Sequence, residues 1–242
     1  MAQEVFERIE KKYLLNDKQF EAFTAQLAGH MAADSYGKHT ICNIYFDTPD
    51  FELTRRSLEK PVYKEKLRLR SYGVPREDDR VFVEIKKKYK GVVYKRRAEM
   101  TLKEARQFLY QGKGHKKDSQ ILHELDYFLK LYQPEPMVYL CYDRIAYQGV
   151  EDAALRMTFD TNIRWRTDAL ELSQGAWGSE LLEKGQHLLE IKIPGAMPLW
   201  LSSILNQMQL YPVSFSKIGR VYTDHLKQNV LPGGIALCCQ AS

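Results

Sequence analysis

The sequence predicts an α+β fold whose strands carry one apolar and one ionic face. Three observations predict it. Segments of period-2 alternation are spread along the whole chain, stretches of helical periodicity lie between them, and the polar positions of the strands are almost purely charged, with cations leading. An ordinary half-buried strand mixes Ser, Thr and Gln into its polar face. Two arrangements fit. One is an open antiparallel sheet with its charged face in water. The other is a closed barrel with an ionic lumen, its apolar outside covered by amphipathic helices. The barrel better explains why the apolar strand faces need partners and why so many helices lie between strands.

The expected strands lie near residues 4–14, 40–47, 62–72, 80–89, 91–100, 137–147, 154–165 and 187–194, and the expected helices near 17–31, 49–58, 102–111, 119–132, 197–209 and 215–228. Asn16-Asp17 and Thr101 are N-cap candidates. Thr101 has Glu104 three residues on, the spacing of a capping box. Thr48-Pro49-Asp50 places a proline at a helix start. No Gly, Pro or Ser-rich linker interrupts the pattern, so residues 1–228 read as one domain and 229–242, uncharged and containing two glycines, as a loosely packed tail.

Length and composition agree. The 242 residues are 44% hydrophobic and 28% charged, the balance of a folded globular chain. No apolar run approaches the roughly 20 residues that span a bilayer. The charged start MAQEVFERIEKKY lacks the apolar stretch of a signal peptide, so a cytoplasmic location is expected. A formal net charge of +5 is too mild for a nucleic-acid coat protein. Cys42, Cys141, Cys238 and Cys239 show no zinc-site spacing and read as reduced structural thiols, and the six histidines show no ligand spacing.

The charges fall on definite strand faces. Arg8, Glu10 and Lys12 share one; Lys66, Arg68 and Arg70 oppose Leu67 and Leu69; Glu84, Lys86 and Lys88 oppose Val83 and Ile85. Lys95, Arg97 and Glu99 align, Arg156, Thr158 and Asp160 alternate with apolar residues, and so do Glu190 and Lys192. A lumen lined by such cations repels itself when empty and suits a polyanion. Arginine forks fit phosphate bidentately and lysines act as mobile point charges. The few carboxylates suit a divalent metal that bridges phosphate oxygens. The pattern therefore implies a chain of phosphates with a metal. Nucleic acid fits less well, because it would want an open groove with exposed stacking aromatics. Asp143 and Asp160 have two readings, as ligands or, more commonly for such residues, as partners of strand-end backbone or neighbouring arginines.

With those faces assigned, the sequence resembles the polyphosphate polymerase (VTC) domain family of the triphosphate tunnel metalloenzyme (CYTH-like) superfamily. The stretches that carry the resemblance are RIEKKY at 8–13, EKLRLR at 65–70, VEIKKK at 83–88, YKRR at 94–97, YDRIAY at 142–147, LRMTFDT at 155–161, LEIK at 189–192 and FSK at 215–217, in the family's order. The resemblance implies an eight-stranded antiparallel β-barrel tunnel with a charged lumen, surrounded by helices. It implies transfer of the γ-phosphoryl group of ATP onto a polyphosphate chain, with Mn²⁺ or Mg²⁺ as cofactor. Residue by residue, it implies phosphate-binding roles for Lys12, Arg68, Arg70, Lys86, Lys95, Arg144, Arg156 and Lys217, with Glu190 on the metal. Arg97 and Lys192 share these faces and extend the phosphate-binding set, and Glu10 and Glu84 are further metal or ion-pair candidates. Arg68, Arg70 and Arg156 are expected to clamp the nucleotide phosphates and Lys86 and Lys95 to neutralise charge around the transferred group, with Arg68, Arg70, Lys86 and Lys95 as the catalytic set.

The sequence departs from the family at one position. A lysine that precedes FSK there is Ser214 here. No helical regulatory module is expected before the domain and no membrane segment after it. Three activities remain open at this stage: a polyphosphate polymerase using ATP, a triphosphate or tripolyphosphate hydrolase in which a carboxylate such as Glu10 activates water, and a non-catalytic polyphosphate-binding module.

Overall fold

A computed structural model describes residues 9–90, 92–114 and 119–229. Arg8, His115, residues 230–242 with Cys238 and Cys239, and part of the basic loop 112–118 lie outside the described residues. Among the described residues, ten strands and six α-helices are interspersed. The first half runs β1 (Ile9–Asn16), α1 (Asp17–Ala25), β2 (Met31–Ala33), β3 (His39–Asp47), α2 (Glu52–Leu58), β4 (Tyr63–Tyr72), β5 (Arg80–Tyr89) and β6 (Val92–Thr101). Then follow α3 (Leu102–Leu109), α4 (Gln120–Tyr132), β7 (Glu135–Gly149), β8 (Arg156–Arg166), β9 (Ser179–Glu180), β10 (Gln186–Ile193), α5 (Leu199–Gln207) and α6 (Lys217–Val221). A π turn (Tyr222–Leu226) and a 3₁₀ turn (Lys227–Asn229) prolong α6.

The fold is α+β around one antiparallel sheet in the order β1-β10-β8-β7-β3-β4-β5-β6, with β2 added on β7 and β9 on β8. This corrects the expectation of an eight-stranded closed barrel. Among the described residues β1 and β6 end the order and no ladder joins them. The sheet nonetheless curls. Lys86 on β5 and Glu10 on β1 stand near opposite ends of the strand order, yet their side chains come within 3.8 Å of each other. The short β2 and β9 were not expected, because two or three residues show no alternation to read.

Helices cover the convex face. α3 and α4 bury Leu102, Phe108, Leu125 and Phe128 against Leu67, Leu69, Val83 and Ile85. Phe23 of α1 and Leu201 and Ile204 of α5 pack on Tyr13, Met157, Phe159 and Ile191. Burial of such side chains contributes about 1.5–3 kcal/mol each. α6 breaks the expectation that helices surround the lumen from outside. Its Ile218 and Val221, with the preceding Phe215, pack on Tyr142, Leu140 and Leu188. Leu188 faces Asp160 in register, so α6 lies on the charged, concave side.

Local chemistry sets the helix starts. Asn16 Oδ1 accepts from the Gln19 amide and Gln19 Oε1 from that of Asn16, a reciprocal box. Thr101 and Glu104 repeat it at α3. α2 starts later than the expected residue 49. Phe51 takes a left-handed φ of 58°, and the buried Asp47 carboxylate accepts from the amides of Leu53 and Thr54. α1 ends at Ala25 rather than near 31, in a turn where Gly29 adopts a φ of 80°. Cys42 and Cys141 are buried and free.

Candidate functional site

The pleat delivers the charges to one place. Register puts Lys66 beside Lys86 and Lys86 beside Lys95; it puts Arg68 beside Glu84 and Glu84 beside Arg97. Across the concavity, Lys12 pairs with Glu190, Lys192 with Arg156, and Asp160 with Arg144. The sequence-predicted strand residues therefore share the concave face, and Lys217 of α6 reaches the same face through Asp160.

Three buried carboxylates organise them. Glu84, 1% exposed, is the first. Its Oε2 accepts from Arg68 at 2.7 Å and its Oε1 from Arg97 at 2.6 Å and Lys95 at 2.8 Å, with Arg70 at 3.9 Å. Burial alone would raise the Glu84 pKa, but Arg68, Arg70 and Lys95 hold it well below the usual carboxylate range. Glu84 thus stands as an ion-pair hub with both oxygens taken. Asp160, fully buried, is the second. Arg144 binds it bidentately at 2.6 and 2.7 Å, and Lys217 from the start of α6 donates at 2.5 Å. These cations overcome burial and hold its pKa down.

Glu190 is the third and is looser. Lys192 approaches it at 3.0 Å and Lys12 at 3.7 Å, and Lys12 also reaches Glu10 at 3.2 Å. Burial opposes ionisation of Glu190, but Lys192 and Lys12 pull its pKa well down. Lys12 is raised in turn, since Glu190 and Glu10 outweigh its burial.

Some cations have no such partner. Lys66 Nζ meets only the Ser216 hydroxyl at 3.3 Å, and among the described residues no carboxylate lies within ion-pair reach. Burial pushes its pKa down to about 8. Among the described residues Arg156 has one hydrogen-bond partner, Gln148, at 3.2 Å. Lys95 is likewise lowered to about 8 by burial, against the pull of Glu84. Lys66 shares its face with Arg68 and Arg70, as its alternation implies, and belongs with the site, although the sequence reading assigns it no role there. So do Tyr45 and Tyr142, whose hydroxyls accept from Arg68 at 3.3 Å and Arg70 at 3.0 Å. Their parity was the available signal. The FSK segment enters here too. The Phe215 carbonyl accepts from Lys12 at 2.9 Å, and the adjoining Ser214 is exposed.

The oxygen donors near Glu190 fit a divalent cation shared with phosphates. Glu190 and Glu10 lie on adjacent strands, and Thr158, opposite Glu190 in register, has a buried hydroxyl with no hydrogen-bond partner among the described residues. One or two carboxylates plus substrate phosphates is how Mg²⁺ is usually held. Among the described residues no cluster of three or more acidic, His or Cys groups forms a metal cage.

Comparison with known proteins bears on this site. A family model, described as the VTC domain, matches residues 7–222. The chain belongs to the VTC domain family. This VTC domain also aligns with a solved Hippeastrum protein, a candidate adenylyl cyclase with a dominant triphosphatase activity, at 16% identity and a TM-score of 0.53, covering 90% of this chain and 95% of that one. A candidate adenylate cyclase from Vibrio parahaemolyticus aligns at 15% identity and a TM-score of 0.48, covering 90% and 99%. The PH1819 protein of Pyrococcus horikoshii aligns at 12% and 0.47, covering 91% and 98%. The Hippeastrum likeness shows a shared fold. Comparison with curated sequences gives no significant match. No helix of the described residues is long and apolar enough to cross a membrane.

Proposed function

We propose that this VTC domain is a polyphosphate polymerase-like phosphotransferase, moving the γ-phosphoryl group of ATP onto a phosphate chain held in its concave tunnel. The observation that carries the reading is the excess of cations. Lysines and arginines from β1, β4, β5, β6, β7, β8, β10 and α6 converge on one face, and the interspersed carboxylates fix their positions without cancelling them. Such an excess is stabilised by a polyanion and by little else.

Phosphoryl transfer asks the protein for positioning and charge neutralisation. Arg68 and Arg70, locked by Glu84, Tyr45, Asn43 and Tyr142, clamp triphosphate oxygens. Lys66, Lys86 and Lys95 form a row of ammonium groups on three adjacent strands around the transferred phosphoryl. Lys12, Arg97, Arg144, Arg156, Lys192 and Lys217 hold the rest of the chain. An oxygen of the chain terminus attacks the γ-phosphorus. The bond to the β–γ bridging oxygen breaks, and ADP leaves with that electron pair. The terminal oxygen is already anionic near neutral pH, so no strong base is required. Glu190, with Glu10 and Thr158, would hold Mn²⁺ or Mg²⁺, which would supply neutralisation of phosphate charge there.

A triphosphate hydrolase is the second reading. It is favoured by the shared fold with the Hippeastrum protein and its dominant triphosphatase activity. The test is incubation of purified protein with ATP, Mn²⁺ and a short polyphosphate primer, with chains resolved on a gel and ADP and free phosphate assayed in parallel. A ladder of long chains with ADP and little phosphate is expected. Free phosphate without chains moves the assignment to the hydrolase, and tight polyphosphate binding with neither product leaves a binding module.

A further inference from the structure

We propose that Tyr36, His39 and Tyr72 form a stacking platform for the base of a nucleoside triphosphate, and that this platform distinguishes nucleotides from inorganic triphosphate. The proposal rests on the reading of the concave face as a triphosphate site. Tyr72 ends β4 on the same face as Arg68 and Arg70, and it is 52% exposed. Its ring stands edge-on to Phe82 at 5.8 Å, and Phe82, the register partner of Arg70, carries the Arg97 guanidinium 4.4 Å from its ring. On the other side Tyr72 lies 5.8 Å from His39, the first residue of β3, and His39 lies 6.5 Å from Tyr36, which is 81% exposed. The row thus runs from solvent to the phosphate-clamping arginines.

Tyr36 and Tyr72 keep 81% and 52% of their surface exposed, so ring surface in the row is open to a ligand. Core aromatics of this protein have no open face; Phe23 and Phe159 are buried by their neighbours. The platform is also held in place. Asp34 Oδ1 accepts from the Tyr36 amide at 3.2 Å, and His39 Nδ1 lies 3.1 Å from the Gly37 carbonyl. Tyr36 also lines, with Asp34, Gln148 and Arg156, a cavity of about 410 Å³. Two residues of strand separate Tyr72 from Arg70, about 7 Å, a span that a ribose can bridge. Stacking tolerates any base, since every base has a π face. The ligand class is therefore nucleoside triphosphates in general, with the larger purines favoured.

The experiment is calorimetric titration of the full chain with ATP and with inorganic tripolyphosphate in the same Mg²⁺ buffer. Tyr36→Ala combined with Tyr72→Ala is expected to weaken ATP about tenfold and to leave tripolyphosphate within twofold, while Tyr72→Phe keeps ATP affinity. Tyr36→Ala alone, at an exposed position outside the core, shows part of the loss in a fold that is not at risk. An unchanged ATP affinity, or an equal loss for both ligands, overturns the platform. Wild-type protein that binds tripolyphosphate but not ATP overturns it too, with the triphosphate site left intact. A protein that binds ATP through these rings yet forms no chains keeps the platform and loses the polymerase reading.

Discussion

Glu84 and Glu190 occupy equivalent places in the alternation of their strands, each flanked by a cation two residues on, and the folded protein treats them differently. Glu84 is 1% exposed and gives both oxygens to arginines and a lysine within 2.8 Å. Among the described residues Glu190, 12% exposed, has lysines alone as ion-pair partners, one of them at 3.7 Å, and lies beside the Thr158 hydroxyl, which has no hydrogen-bond partner there. The partner type makes the difference. Planar arginine forks saturate a carboxylate and fix its geometry, whereas ammonium groups are mobile point charges that can swing aside. One carboxylate is therefore spent on building the comb of cations. The other retains room for a divalent ion.

The sharpest way to break this contrast is to neutralise each in turn. Glu190→Gln is expected to lower turnover at least a hundredfold while tripolyphosphate affinity stays within a few fold, and to weaken Mn²⁺ binding measured by paramagnetic resonance. Glu84→Gln is expected to leave Mn²⁺ binding unchanged. Equal loss of Mn²⁺ in both variants would erase the distinction. Next in size is Arg68→Ala with Arg70→Ala. Each charge-assisted contact contributes about 1.5–3 kcal/mol, so tripolyphosphate affinity should fall at least a hundredfold in a titration. Unchanged affinity would sink the tunnel reading.

Stability should reverse the ranking of the two glutamates. Removing the Glu84 charge strands several cations around a buried amide, a loss on the order of 3 kcal/mol by urea unfolding. Glu190→Gln should cost clearly less, because its lysines are nearer water. The acid limb follows from the same groups. Glu84, Asp160 and Glu190 all have folded pKa values depressed below the ordinary 3.8–4.5. Their stabilisation is fully present above about pH 5 and is lost as pH falls below those ordinary values toward the folded ones. A Glu84→Gln variant should show a flatter decline between pH 5 and pH 2. An identical slope would mean that the hub contributes nothing.

Much of this was legible because the pleat is strict. Once a strand is recognised, period 2 places Lys66, Arg68 and Arg70, or Glu84 and Lys86, on one face, and no tertiary knowledge is needed. The N-cap at Asn16 and the capping box at Thr101 were equally local, while the return contact of Gln19 to Asn16 was not read. What escaped the sequence depends on distance. Nothing local says that Asp47 caps a helix from six residues upstream, that α6 lies inside the concavity and not outside it, or that the β1 and β6 edges lack a joining ladder. Lys66 was visible as a lumen cation, but that no carboxylate among the described residues comes within ion-pair reach of it is a property of segments brought together by the fold.

That isolation gives the smallest and most pointed prediction. Lys66 and Lys95 titrate near 8 in the folded protein, below the ordinary 10.5, chiefly because burial disfavours their charge. Between pH 8 and 10.5 the unfolded chain then binds more protons than the folded one, so these lysines make stability rise with pH across that window. Anion binding should move the other way, because each lost proton removes a positive charge from the site. Tripolyphosphate affinity should therefore decline a few fold above pH 8 while the urea midpoint holds or rises. Lys66→Met should lower affinity at pH 7 and flatten the decline. Parallel loss of affinity and stability above pH 8 would mean that the alkaline effect is unfolding and that Lys66 is an ordinary solvated lysine.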